Sequence, residues 1–514
     1  MNGAEGLVAT LLGAGVEVCF TNPGTSEMHI VAAFDHAPQM RCVLGLFEGV
    51  VTGAADGYAR MAGKPACTLL HLGPGLANGL ANLHNASRAR TPIINIIGQH
   101  ARQHLRHDTP LRADIEGIAR PYSSWVRTSS SVAEVSRDAT DAILASRTAP
   151  GNIATLIVPA DLAWSEGGMV TALPELPAAR RPESRNIERA AAMLKTGLPT
   201  CFLLAGDALF GAGLAAAGRI ASATGAKLLA PYPFARMERG AHAPFVGRIP
   251  YIFEQASALL KEFRQMILVG ASAPRSYFAH PVKDSVPTPA ECEIHELAVP
   301  GEDYAAALDA LASALRVPQA SSPAAKAVRP EAPSGAINFP GLAAAVAAVL
   351  PENAIVVDES MTSGRGLMEA TRGIAPHDWL ANTGGSIGIA MPLAVGAAVA
   401  CPDRKVLCLS ADGSGMYTLQ ALWTMAREGL NVTTVVYANR VYGVLKREFS
   451  SLGIGEPGPR ALNLFEIGRP DLDWGSLAKG MGVPATRVSS LESFTTALRD
   501  GFATDGPSLI QVDV

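Results

Sequence analysis

Charge is sparse along this chain and nowhere concentrated. Asp, Glu, Lys and Arg make up 17% of the 514 residues, the formal net charge is −4, and no basic run is present. That argues against a nucleic-acid or acidic-membrane partner. Uninterrupted apolar stretches of membrane-spanning length are also missing. Met1–Thr10 has no basic start followed by an apolar run, so a secretory signal is not expected. The seven cysteines, Cys19, Cys42, Cys67, Cys201, Cys292, Cys401 and Cys408, form no CxxC pair. They read as reduced, mostly buried thiols of a cytoplasmic protein rather than as a disulfide framework. No repeat with a period of roughly 20–50 residues is evident.

What the chain does have is length, glycine and alternation. A chain of 514 residues exceeds one core, so several domains are expected. Hydrophobic residues at 48% and 50 glycines suit a compact α/β enzyme. Two connectors stand out, 161–186 with LPELPAARRPESRN and 317–338 with PQASSPAAKAVRPEAPSG; both are rich in Pro, Ala or Ser and lack apolar periodicity. They leave blocks 1–165, 187–316 and 340–514, each of ordinary domain size. Every block alternates short apolar runs with helical patterns, the rhythm of a parallel sheet covered on both faces. Strands are expected over 66–72 and 92–98, over 200–206 and 265–271, and over 354–360, 405–412, 432–439 and 508–512. The expected fold class is α/β, with three doubly wound parallel-sheet domains.

The segment KVLCLSADGSGMYTLQALWTMAREGLNVTTVVYANRVYG (405–443) is the most informative. One strand ends at Asp412, Gly413 and Ser414 turn the chain, a helix is expected from near Tyr417, and a second strand ends at Asn439. Parallel strands end on the same edge of a sheet, so Asp412 and Asn439 can meet there. A carboxylate and an amide carbonyl are hard oxygen donors suited to Mg²⁺. Gly413 permits close backbone approach, and a following helix N-terminus favours an anion. The segment resembles the thiamin-diphosphate motif that begins Gly-Asp-Gly and ends in Asn-Asn, with Ala411 for the first Gly and Ala438 for the first Asn. Neither departure removes a ligand. The resemblance implies that Asp412, Asn439 and the backbone carbonyl of Val441 hold the metal. It also implies that Ser414 touches the diphosphate, and that Gly413 and Tyr442 belong to the cofactor site. An ordinary Asp-Gly turn after a strand is the bland alternative.

LGLFEGVVTGAADGYARMAGKPA (44–66) sets a single carboxylate, Glu48, ahead of a helical stretch, 49–62, whose small residues suggest close packing. Burial there would raise the pKa of its carboxyl. The stretch resembles the E-x-x-A/V-x-x-x-A-D-G-Y-A-R segment of the acetolactate synthase and benzoylformate decarboxylase group. By that resemblance Glu48 is the glutamate that shares its proton with the aminopyrimidine ring and so activates the cofactor. The bland alternative is a helix N-terminal Glu facing the dipole.

ANTGGSIGIAMPLAVGAA (381–398) resembles the segment beneath the cofactor in the same group. It implies that Ile387 props the two rings and that the Gly385 carbonyl receives the aminopyrimidine amine. DESMTSG (358–364) aligns with a second diphosphate contact, through the Met361 backbone and Thr362. In TNPGTSEMHIV (21–31) Thr25 or Ser26 is expected to cap a helix, and the resemblance maps a substrate-carboxylate contact to Thr25. His71 matches a catalytic histidine of benzoylformate decarboxylase, with a structural His as the alternative. Tyr277 or Phe278 stands where that decarboxylase has its second histidine.

Two look-alikes carry less. His100, His104 and His107 have helical spacing, but no acidic or Cys ligand accompanies them, and a polar loop is the expected reading. GAGLAAAG (211–218) lacks the acidic partner of a dinucleotide site. The resemblance covers nearly the whole chain, as a pyrimidine-binding domain (1–165), a middle domain (187–316) and a diphosphate-binding domain (340–514). It implies thiamin diphosphate and Mg²⁺, a 2-oxo acid substrate, and a homodimer or homotetramer with sites between subunits. The arginine-rich flavin segment of acetolactate synthases is not found, which argues against FAD. After CO₂ loss the acyl unit is either joined to a second carbonyl, as the overall resemblance favours, or released as an aldehyde, as His71 favours. A non-catalytic or FAD-binding regulatory homologue is the remaining alternative, and Glu48, Asp412 and Asn439 argue against a non-catalytic one.

Overall fold

The computed structural model describes residues 1–281, 284–319 and 325–514. Three parallel-dominant sheets follow one another along the chain. The first runs in the order Arg41–Leu44, Val18–Asn22, Ala66–Leu70, Ile93–Gln99, Ile153–Pro159, Trp125–Thr128 and is parallel throughout. The second, also parallel, runs Gly247–Arg248, Lys227–Ala230, Thr200–Leu204, Gln265–Val269, Glu293–Ala298. The third runs Ala485–Val488, Ser508–Asp513, Val432–Ala438, Val406–Ala411, Ala354–Glu359, His377–Ala381, Arg236–Arg239. Its last strand comes from the middle block and pairs antiparallel with His377–Ala381. Each strand expected from the sequence is present. The central ones, such as Ile93–Gln99 and Val432–Ala438, are buried at every position, because helices on both faces of a parallel sheet leave no solvent side.

The first and third sheets are locked together by two helices, Glu48–Ala62 and Ala390–Ala400. A β-carbon at Gly57 would lie 2.1 Å from the Leu393 carbonyl oxygen, and one at Gly396 would lie 1.9 Å from that of Ala54. Only glycine allows these backbones to come so close, which explains the small residues of both segments. Beside this crossing Arg60 forms a buried two-point ion pair with Asp56, at 2.8 and 2.6 Å. The same guanidinium donates to the carbonyls of Ala235 and Ala381 and to the Thr383 hydroxyl. One side chain thus touches all three blocks.

The first connector lies back on the N-terminal helix Gly3–Gly13, where Thr171 N donates to the Thr10 hydroxyl. Of the second, residues 320–324 lie outside the described residues; beyond them Val328 N donates to Gly373 O and Gly335 N to the Glu492 carboxylate. All seven cysteines are free, five of them buried, with Cys401 half-buried and Cys42 exposed. Among the described residues no helix is long and apolar enough to cross a membrane.

Candidate active site

The third sheet brings the expected metal ligands into one corner at its carboxyl edge. Asp412 follows Val406–Ala411 and Asn439 follows the adjacent strand Val432–Ala438. Asp412 is 2% exposed; its Oδ2 accepts from Arg440 N at 2.7 Å and its Oδ1 from Gly413 N at 2.8 Å. Asn439 Oδ1 accepts from Val441 N at 3.1 Å, and its amide nitrogen donates to the Thr362 hydroxyl at 3.3 Å. Arg440, which follows Asn439 and bonds Asp412 through its backbone N–H, is left-handed at φ +58°. Its guanidinium holds that corner by pairing with Asp471 and Asp513. Met361, at φ +52°, turns the neighbouring loop the same way. Tyr442 lies over Gly413, where a β-carbon would meet its ring at 2.6 Å.

Burial pushes the Asp412 carboxyl above its ordinary value, opposed by the backbone N–H groups of Arg440 and Gly413. Among the described residues it has no ion-pair partner. A buried carboxylate without an ion pair, at a strand end next to that of Asn439, fits a hard divalent ion. The chain does depart from the expected helix near Tyr417. A single helical turn spans Asp412–Gly415, and the longer helix, Ala421–Arg427, starts later. The Thr418 hydroxyl is drawn instead to Gly388 O at 2.7 Å.

That bond ties the corner to the loop 382–388, which holds Gly385 and the half-buried Ile387. Glu359, at the end of its strand and 3% exposed, organises the loop. It accepts from the backbone N–H groups of Gly388 and Ala390 at 3.1 and 3.2 Å and from Asn382 Nδ2 at 3.0 Å. Burial raises its carboxyl to about 7 despite these donors. From the first block, Asn85 Nδ2 donates to Ser386 O and His84 Nε2 lies 3.1 Å from Gly384 O.

The first sheet gathers the other candidates at its own carboxyl edge. His71 follows Ala66–Leu70, and Leu72 turns left-handed at φ +52° to open the helix Leu72–Ala89. His71 Nδ1 lies 2.8 Å from Glu27 Oε2, which also accepts from Gly24 N at 2.7 Å. With Glu27 ionised, and so only an acceptor, Nδ1 is the donor of this pair. Glu27 is fully buried and its Oε1 has no partner; a β-carbon at Gly98 would sit 1.7 Å from that oxygen. Desolvation pushes this carboxyl up, against the pull of Gly24 N–H and His71. Neither Thr25 nor Ser26 caps a helix, since Glu27 reaches back to Gly24 instead. Thr25 is exposed, and it is the Ser26 hydroxyl that lies 3.4 Å from His71 Nδ1.

Glu48 is the first residue of its helix and is half-buried, not enclosed as the sequence suggests. Its Oε2 accepts from Asn78 at 3.0 Å, and Gly75 lies between it and His71. Among the described residues no hydrogen bond or ion pair joins Glu27, Glu48 or His71 to Asp412, Asn439 or Thr362.

Sequence reasoning missed Glu27, Glu359, Asn78 and Arg440. Glu27 alone left a signal, because its place three residues after Gly24 is capping-box spacing. His100, His104 and His107 stack ring against ring at 5.4 and 5.5 Å. Among the described residues no group of three or more His, Cys, Asp or Glu side chains could hold a metal. In the middle block the helix Gly211–Thr224 receives the Glu238 carboxylate at Gly211 N, and Tyr304 packs against Gly206 and Gly270. A dinucleotide phosphate would compete there with an anion of the chain itself.

Comparison with known proteins identifies the family. Residues 1–118 match the family model described as thiamine pyrophosphate enzyme, N-terminal TPP binding domain, and residues 364–512 match its C-terminal TPP binding domain. A Mycobacterium tuberculosis protein named "Putative acetolactate synthase large subunit IlvX" is 52% identical over 515 residues, covering 100% of this chain and 99% of its own. Benzoylformate decarboxylase of Pseudomonas aeruginosa is 28% identical, covering 97% and 96%. The thiamine diphosphate-dependent 4-hydroxybenzoylformate decarboxylase of Rhodococcus jostii superposes with a TM-score of 0.86 at 25% identity, covering 100% and 99%. With its two-sheet site and a full-length relative at 52% identity, this chain belongs to the thiamine pyrophosphate enzyme family.

Proposed function

We propose that the protein decarboxylates a 2-oxo acid on thiamin diphosphate and Mg²⁺ and joins the remaining acyl unit to a second carbonyl compound. The observation that carries the decarboxylation is the buried Asp412 without a cation of its own, set beside Asn439 at the end of adjacent strands. The bond-forming outcome follows the name of the 52% identical relative. When bound, the cofactor supplies a nucleophilic ring carbon and an electron sink for the bond to the departing CO₂.

Asp412, Asn439 and the Val441 carbonyl would hold Mg²⁺, with Ser414, Met361 N–H and Thr362 taking the diphosphate. Gly385 and Ile387 would seat the two rings on the loop that Glu359 fixes. Glu48 would hold the proton exchanged with the aminopyrimidine. Among the described residues no hydrogen bond or ion pair joins it directly to Asp412, Asn439 or Thr362, which supports a site completed by a second copy. Thr25, next to Ser26 in the chain, would contact the substrate carboxylate. The soluble cytoplasm is the proposed setting.

The Glu27–His71 pair favours a second reading. Held by Glu27 at Nδ1, the imidazole can take up a solvent proton at Nε2 and pass it to the acyl carbon, which favours release of an aldehyde. Incubating the holoenzyme with pyruvate, benzoylformate and a branched 2-oxo acid, and identifying products, separates the readings. A coupled hydroxy ketone supports the first, aldehyde alone the second, and no CO₂ from any of them overturns both.

A further inference from the structure

The loop 382–388, which carries Gly385 and Ile387, is held by side chains alone. Among the described residues no hydrogen bond between backbone groups involves 383–388. Gly385 at φ +80° and Gly388 at φ +94° flank Ser386 and Ile387. Glycines at positive φ leave a permissive segment whose backbone groups must find partners elsewhere. Two partners come from the third sheet. Asn382 bonds Gly385 N and Ser386 O, and Glu359 accepts from Gly388 N.

The third partner, Asn85, belongs to the first block. Its amide nitrogen donates to Ser386 O at 2.8 Å, and its Oδ1 accepts from Ser386 N at 3.2 Å. One side-chain amide thus engages both backbone groups of a residue 301 positions away, as a neighbouring strand would. The Thr383 hydroxyl donates to Asn85 O at 2.6 Å, and a β-carbon at Gly384 would lie 2.6 Å from Asn85 Oδ1. Asn85 is fully buried, and its second amide hydrogen goes to Asn82 Oδ1 at 3.0 Å. Asn82, also buried, donates in turn to Gly49 O at 2.7 Å. Asn78, Asn82 and Asn85 fall at i, i+4 and i+7 of the helix Leu72–Ala89, on one face, and Asn78 reaches the Glu48 carboxylate. A polar stripe therefore runs from Glu48 and the start of its helix to the loop.

We propose that Asn85 and Asn82 are positioning residues of the cofactor site. Asn85 fixes the turn of the loop that would seat the two rings, and Asn82 ties that loop to the helix on which Glu48 stands. The inference rests on the thiamin diphosphate reading of the site. With the site completed by a second copy, Glu48 of one chain would serve the loop of the other. The stripe then gives both contributions of each chain a common mount. Neither asparagine touches the reacting atoms; each acts through backbone groups. A displacement of about 1 Å in such a loop is enough to cost about a hundredfold in a reaction that depends on alignment.

Amide hydrogen exchange in the apo-protein reads the loop without the cofactor. Asn85→Ala should raise exchange across 383–388 at least about tenfold, while the central strand Val432–Ala438 stays as protected as in the native chain. In the holoenzyme, exchange of the proton on the cofactor's reactive ring carbon into D₂O reads activation. That rate, and kcat for the 2-oxo acid turned over, should fall about 10–10²-fold in Asn85→Ala, with KM and cofactor affinity within about threefold. Asn82→Ala keeps both bonds from Asn85 to Ser386 and should show the same pattern at about threefold; it decides the matter if Asn85→Ala does not fold. Unchanged loop exchange in Asn85→Ala overturns the proposal for Asn85, and in Asn82→Ala for Asn82. A fall in kcat matched by an equal loss of cofactor affinity overturns it for both. Loop protection that depends on Asn85 in a chain that binds no thiamin diphosphate keeps the anchor and sinks the cofactor reading.

Discussion

Two buried glutamates, one at each half of the site, perform unlike tasks with the same functional group. Glu359, in the third sheet, spends both oxygens on backbone amides and one side-chain amide, so that it shapes a loop. Glu27, in the first sheet, directs one oxygen at a histidine and a backbone amide and leaves the other unpartnered. The first arrangement fixes geometry; the second biases a proton carrier. The same division runs through their surroundings. The third-sheet corner is built of oxygen donors and amides suited to an ion and its counter-ion. The first-sheet edge holds Glu48 and His71. On the proposed reading, proton handling and ion holding fall to separate sheets.

Three measurements break or sharpen that division. Glu48→Gln keeps the size and one acceptor oxygen but removes the exchangeable acid. Turnover of 2-oxo acids should fall about 10²–10⁴-fold while calorimetric cofactor affinity stays within a few-fold. An equal collapse of affinity would place Glu48 on the ion-holding side. Next in size is the pH dependence of stability in the apo-protein. The Glu359 carboxyl moves from 4.5 to about 7 on folding. The native state therefore binds the extra proton between those values, and stability declines as pH rises through that window and levels off above it. The decline attributable to this group is roughly 3 kcal/mol. Denaturant midpoints for Glu359→Gln should show a flatter profile between pH 4.5 and 7; an unchanged slope would mean that some other group titrates. The smallest effect is expected for Glu27→Gln, about a tenfold loss in kcat at unchanged cofactor affinity, because the histidine remains and only its orientation and partner change. A loss of cofactor binding there would blur the division.

Much of this was legible in the chain itself. Fully buried parallel strands are continuous apolar runs, so 66–72, 405–412 and 432–439 announce themselves. Once two such strands are adjacent, Asp412 and Asn439 must share an edge. What was not legible depends on partners distant in sequence. Glu27 acquires its role from His71, 44 residues on, and Glu359 from amides 29 and 31 residues on. The late start of the helix after Asp412 follows from Thr418 bonding to Gly388, which no local propensity encodes. Glu48 read as buried because its neighbours are apolar, but the first turn of a helix at a sheet edge opens outward, and only part of it is covered.

Arg60 has a consequence for how the molecule can be divided. Its guanidinium is held by a carboxylate of its own block and spans to carbonyls of the other two. Severing the exposed connector after residue 165 would cut the chain without releasing a fragment. Separation would break the bonds from Arg60 to the Ala235 and Ala381 carbonyls and the Thr383 hydroxyl, each worth about 1.5–3 kcal/mol for a charged donor. A nicked chain should therefore migrate as one particle in native conditions and come apart only when denatured.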